Sequence, residues 1–185
     1  MSQTASARYH PLSVALHWLL GLALVALFAL GLYMEGLSFS PQKLQFYNWH
    51  KWAGITVFTL SFLRLMWRLV QRPPALPAAI ERAMPAWQRF AHHATHGGLY
   101  LLFFAVPLLG WAFSSAAGFP IVVFGVLPLP DFVPVSPELA DLLKPLHKYA
   151  AFGMAALVAL HVAGALKHHF IDRDGLLGRM AWGRR

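Results

Sequence analysis

Four long apolar stretches constrain this chain more than any other feature. They run at about residues 12–34, 49–70, 90–116 and 146–170, and each is long enough to cross a hydrocarbon layer roughly 30 Å thick. Inside lipid the backbone has no water to bond, so each stretch is expected to satisfy its own hydrogen bonds as an α-helix. Only 12% of the 185 residues are charged, about half the share of an ordinary soluble domain. The expected fold is an all-α integral membrane protein, one domain over 1–185, built as a bundle of four transmembrane helices. The first apolar run is longer than a signal-peptide core and no small-residue cleavage site follows it, so it is read as a retained helix.

Proline marks the breaks. Ser40-Pro41 opens the first connection, Arg72-Pro73-Pro74 through Pro77 forms the second, and Pro120, Pro128, Pro130, Pro134 and Pro137 punctuate the third, 118–137. The third holds FPIVVFGVLPLP, apolar but too short to span, which suits a re-entrant or an interfacial segment. Eleven of the fifteen Lys and Arg lie at the N-terminal tail, the second connection and the C-terminal end: Arg8, Arg64, Arg68, Arg72, Arg82, Arg89, Lys167, Arg173, Arg179, Arg184 and Arg185. Lys43, Lys51, Lys144 and Lys148 lie on the other side, where four acids cancel them, so the net charge of +8 belongs to the first side. Positive charge is retained inside, which places both termini in the cytoplasm. These cations flank apolar spans and form no stripe on a polar helix, so they set topology and do not indicate nucleic-acid binding.

The chain has ten histidines and no cysteine. Disulfides, iron–sulfur clusters, thiolate-ligated haem and covalent CxxCH haem are therefore excluded. The histidines sort by depth. His17 lies near the cytoplasmic side of the first helix, His50 opens the second on the outer side, and His93 and His96 sit in the first turns of the third. His147 and His161 are fourteen positions apart in the fourth, which puts them about 40° apart on one face and about 21 Å apart along the axis. His50 can then meet His147 on the outer side, and His17 can meet His161 on the inner side. Two imidazoles per site, with no thiolate and no intramembrane acid, suit haem iron ligated on both axial positions better than zinc. Taken singly, each of these histidines also suits an interfacial side chain or an interhelical hydrogen bond. Gly21, Gly54, Gly153 and Gly164 leave room for a flat macrocycle or for close helix packing. Arg64, fourteen after His50, either pairs with a haem propionate or snorkels to headgroups; Arg68 is read as snorkelling, His10 and His169 as interfacial, and His92 as outward-facing.

Four segments, RYHPLSVALHWL, NWHKWAG, HHATHGGLYLLFFAVPLLGW and LHKYAAFGMAALVALHVAGALKHHF, resemble the bacterial cytochrome b561 family over nearly the whole chain. The resemblance implies two b-type haems ligated by His17, His50, His147 and His161, in a multi-pass protein of the bacterial inner membrane, surrounded by lipid. It also implies a ubiquinone site on the cytoplasmic side near His96 and His168, and entry of superoxide at the outer haem, where the matching lysine is Lys144. The activity implied is that of the superoxide oxidases of this family, superoxide:ubiquinone oxidoreductases, and no obligate protein partner is implied. The alternative it allows is a cytochrome b subunit linking a dehydrogenase or hydrogenase to quinone. Lys51 and Lys148 would join Lys144 in attracting the superoxide anion. Ala15 departs from relatives in which a serine stands two before the first ligand, and the 118–137 loop resists alignment.

Overall fold

The computed structural model describes residues 8–181; Arg184 and Arg185 of the charge tally lie outside that range. Four helices are long and apolar enough to cross a membrane: α1 (Pro11–Glu35), α2 (Pro41–Val70), α4 (Ala86–Ala116) and α5 (Pro137–Lys167), with a short α3 (Ala78–Ala83) between α2 and α4. Many of their apolar side chains, among them Leu22, Val25, Leu63, Leu101 and Leu160, are exposed on the bundle exterior, as lipid-facing surface requires. The inward side chains form a core at mid-depth: Leu20, Leu24, Val57, Leu99, Val106 and Met154.

Two helices extend well beyond the apolar stretches that announced them. Ser40 accepts a hydrogen bond from Lys43 N, and Pro41 takes the first helical position, so α2 begins eight residues before Trp49. Ser136 and Pro137 do the same for α5. Serine caps the free N–H groups and proline supplies a preset φ with no N–H to leave unpaired. These two Ser-Pro pairs, read from sequence as parts of connections, are therefore helix starts. Pro107 and Pro145 lie inside helices.

The third connection is a docked hairpin. β1 (Val122–Val123) and β2 (Leu127–Pro128) pair antiparallel, with Phe124 and Gly125 at positive φ in the turn. Trp52 Nε1 donates to the Val122 carbonyl at 2.6 Å, and Lys51 Nζ donates to the carbonyls of Phe119 and Pro120 at 3.3 and 3.5 Å. At the opposite end, Arg179 is 4% exposed and donates to the carbonyls of Pro74 and Ala75 at 3.0 and 2.9 Å. Trp18 Nε1 donates to the Met180 carbonyl at 2.8 Å. The C-terminal turn Leu177–Met180 is thereby bolted to α1 and to the proline-rich second connection.

Candidate functional site

Two histidine pairs stack inside the bundle. The rings of His50 on α2 and His147 on α5 have centroids 6.3 Å apart; those of His17 on α1 and His161 on α5 are 5.9 Å apart. The fourteen-residue spacing on α5 thus presents one ring to each of two partners at different depths, as helical geometry dictates. His147 is held by α4: its Nδ1–H donates to the Val106 carbonyl at 2.9 Å. Gly110 makes this reach possible, since a Cβ there would lie 2.9 Å from His147 Cε1 and 3.1 Å from Nδ1. With Nδ1 protonated, Nε2 of His147 keeps a free lone pair. His50 packs against Gly31 of α1, whose Cβ would sit 3.4 Å from His50 Cε1.

These residues fit a ligated metal in a flat ring. Two imidazoles on opposite sides of one metal, each at a bond length of about 2 Å, have centroids about 6 Å apart. Both pairs show that separation. One turn beyond His17, His50 and His161 stand Gly21, Gly54 and Gly164, and a Cβ on any of them, or on Gly153, would meet nothing within 4 Å. The His50–His147 pair borders an open apolar cleft walled by Leu27, Phe28, Gly54, Val57, Phe103 and Met154. Lys144, Lys148 and Glu35 stand among its more polar lining residues, with Lys148 and Glu35 paired at 3.0 Å, each 44% exposed.

Beside the inner pair, Arg64 Nη1 donates to the Ser13 carbonyl at 3.1 Å and its Nη2 lies 3.5 Å from His17 Nδ1. Arg64 is therefore folded back onto α1 next to a paired histidine and does not reach for headgroups. Arg68, read as snorkelling, is exposed; it lies over the Tyr100 ring and donates to the Tyr100 hydroxyl at 2.8 Å. Lys51, expected to attract an anion, has its ammonium committed to the hairpin carbonyls and to Ser114 Oγ at 3.4 Å.

His96 packs edge-on against His161, with centroids 5.1 Å apart, and donates from Nδ1 to the His92 carbonyl at 2.7 Å. His92 stacks on His96 at 4.3 Å and is half-buried, which corrects its outward-facing assignment. The spacing of four between His92 and His96, which places both on one helix face, is the signal that could have found it. His168 lies elsewhere, in a cleft between α3 and the end of α5 whose walls do not include His96. Its partners are Asp174 and Gln88. Of the remaining three, His10 is the N-cap of α1 and tilts against Trp67, His93 is exposed and meets the His92 ring edge-on at 5.3 Å, and His169 is exposed against Phe170.

Residues 8–183 match the family described as prokaryotic cytochrome b561. The chain is 36% identical over 183 residues to cytochrome b561 homolog 2 of Escherichia coli (strain K12), covering 94% of this chain and 90% of that one. It is 33% identical over 179 residues to cytochrome b561 homolog 1 of the same organism, covering 94% and 96%. A probable superoxide oxidase CybB of Yersinia pestis is 30% identical over 177 residues, covering 94% and 95%.

Proposed function

The chain belongs to the prokaryotic cytochrome b561 family, and from that premise we propose that it oxidises superoxide outside the bacterial inner membrane and reduces ubiquinone on the cytoplasmic side. Membrane electron transfer of the cytochrome b561 type follows from the family and the four apolar helices. The narrower reaction draws support from the similarity to a probable superoxide oxidase. The observation that carries it is the stacking of two histidine pairs at different depths of one bundle.

His50 with His147, and His17 with His161, each hold one b-type haem in this reading, within a single domain whose termini are both cytoplasmic. Haem held by these imidazoles would supply a one-electron carrier suited to electron passage. The rest is the work of the chain. The Val106 carbonyl sets the His147 tautomer and aims its Nε2. Lys144 and Lys148 stand at the outer cleft, where positive potential raises the encounter rate of an anion. Glu35 offsets part of the Lys148 charge, which leaves Lys144 the stronger attractor. Arg64 places a cation beside the His17–His161 pair, where it would favour the reduced, more negative state of a haem held there and could pair with a propionate. Two superoxide anions release two electrons and two molecules of oxygen; ubiquinone takes the electrons with two cytoplasmic protons. His96 and His168, on the cytoplasmic side, hydrogen-bond the quinone and move those protons.

The test is a reduced-minus-oxidised spectrum and a superoxide-driven quinol assay on one purified sample. We expect two haems per chain, and the loss of one haem in each of His147→Ala and His161→Ala. Retention of both haems in either variant would break the ligand scheme. A haem-replete protein that forms no quinol from superoxide, and that co-purifies with an iron–sulfur subunit, would instead support the role of a dehydrogenase or hydrogenase cytochrome.

A further inference from the structure

The cytoplasmic end of α5 departs from regular helix where an electron path alone would need no such change. At Lys167 the α-helix gives way to a π-helical turn, His168–Asp172, and Arg173 then adopts a left-handed conformation with φ 50°. The chain folds back, and Asp174 Oδ2 comes to 2.5 Å from His168 Nδ1. Asp174 is itself anchored, its Oδ1 accepting from Leu176 N at 3.1 Å. Asp172 is also near, 3.3 Å from the same Nδ1. Its carboxylate, however, is claimed by the Lys167 ammonium at 2.7 and 2.9 Å. Lys167 therefore supplies the cation that this acidic turn calls for.

The opposite edge of the ring faces α4. His168 Nε2 lies 3.2 Å from the side-chain nitrogen of Gln88. His168 and Asp174 are 16% and 12% exposed, so little water competes for either. An ionised carboxylate only accepts, so Nδ1 carries its hydrogen permanently and Nε2 is the ring atom left to exchange a proton. Both edges border a cleft of about 950 Å³ of empty space, with Ala79, Ile80, Met84 and Trp87 on its apolar side and Gln88, Lys167, Asp172 and Asp174 on its polar side. His92 of α4 also lies within electrostatic reach of His168.

We propose that Asp174 is a positioning residue that makes His168 a one-way proton donor to the quinone: Asp174 locks Nδ1–H, and Nε2, which in the neutral ring accepts from the Gln88 amide, is left as the atom that exchanges a proton. This rests on the quinone reading above. In the step, the Nε2–H bond of the protonated ring breaks and an O–H bond forms on the quinone oxygen as electrons arrive from the reduced protein. The ring is left neutral with its hydrogen on Nδ1, and cytoplasmic water returns a proton to Nε2. An apolar wall for the ring of the quinone and a polar wall for its oxygens are both present in the cleft.

The experiment uses haem-replete protein, chemically reduced and mixed with a short-chain ubiquinone, with reoxidation of the haems followed in time. Asp174→Asn keeps the shape but can turn an N–H toward Nδ1, which moves the ring hydrogen to Nε2. Reoxidation at saturating quinone should slow roughly tenfold or more, the range in which general acids operate. The quinone concentration for half-maximal rate should stay the same, the solvent deuterium isotope effect should grow, and Asp174→Glu should recover part of the rate. Separately, ¹⁵N-histidine spectra should show His168 as the Nδ1–H tautomer in the parent and as Nε2–H in Asp174→Asn. Equal rates and isotope effects in parent and Asp174→Asn would overturn the assignment of Asp174 while leaving the quinone reading standing. Failure of quinone to reoxidise the parent would overturn both.

Discussion

Gly110 shows how a single missing methyl group decides where a histidine points. A Cβ there would press on the His147 ring at 2.9 Å, a distance the ring can relieve only by leaving the Val106 carbonyl. Gly98 has a contact just as close, 2.8 Å, but to Leu157 Cδ1, the end of a flexible side chain that can turn away. We therefore expect Gly110→Ala to lose or loosen the outer haem while Gly98→Ala retains both, as read by haem-to-protein stoichiometry. Full occupancy in Gly110→Ala would show that the His147 tautomer is held by something other than Val106. The contrast also marks what sequence can reveal at this scale. The two ring pairs were legible, because helical spacing and depth are local arithmetic. Gly110, His92 and Asp174 were not. Gly110 matters through a contact between residues far apart in the chain, and Asp174 reaches His168 only because a π-turn and a left-handed Arg173 fold it back.

Hydropathy located the four spans but not the ends of the helices, because it measures where lipid begins and α2 and α5 continue past that point. Their extra turns carry polar side chains such as Gln42, Lys43, Asp141 and Lys144, and the signal for them lay in the Ser-Pro caps. The short elements that seal the two ends had no periodic signal at all. Their contributions are unequal. The Lys148–Glu35 pair joins α5 to α1 at the outer end, but both side chains are 44% exposed, and such pairs contribute about 0–1 kcal/mol. Arg179 is buried, and it gives two hydrogen bonds to carbonyls of the second connection and stacks on Tyr9 at 5.5 Å. A hydrogen bond from a charged donor contributes about 1.5–3 kcal/mol, and removing the donor leaves carbonyls unpaired. Arg179→Ala should lower the temperature at which the detergent-solubilised protein releases haem, and Lys148→Ala should hardly move it. Equal shifts would mean that the C-terminal turn does not bolt the cytoplasmic end.

The whole molecule has two chemically different ends, and the proposed reaction requires that they face opposite compartments. One end gathers Arg72, Arg82, Arg89, Lys167, Arg173 and Arg179 around α3 and the C-terminal turn; the other carries the hairpin, Lys144 and the Lys148–Glu35 pair. A cation-rich end is expected on the cytoplasmic side, and in the proposed orientation His168 would stand beside cytoplasmic protons and Lys144 where an external anion could arrive. If the orientation were reversed, the anion-attracting cleft would open to the cytoplasm and the proposed direction of the reaction would fall with it. The chain lends itself to a direct measurement, because it has no cysteine of its own. Ser38→Cys, exposed in the connection between α1 and α2, and Ala78→Cys, exposed at the start of α3, report the two ends. A membrane-impermeant maleimide should label Ser38→Cys, and spare Ala78→Cys, in spheroplasts with an intact inner membrane. In inverted vesicles the pattern should exchange. Labelling of Ala78→Cys from outside would overturn the cytoplasmic placement of the quinone cleft, whatever haem the bundle holds.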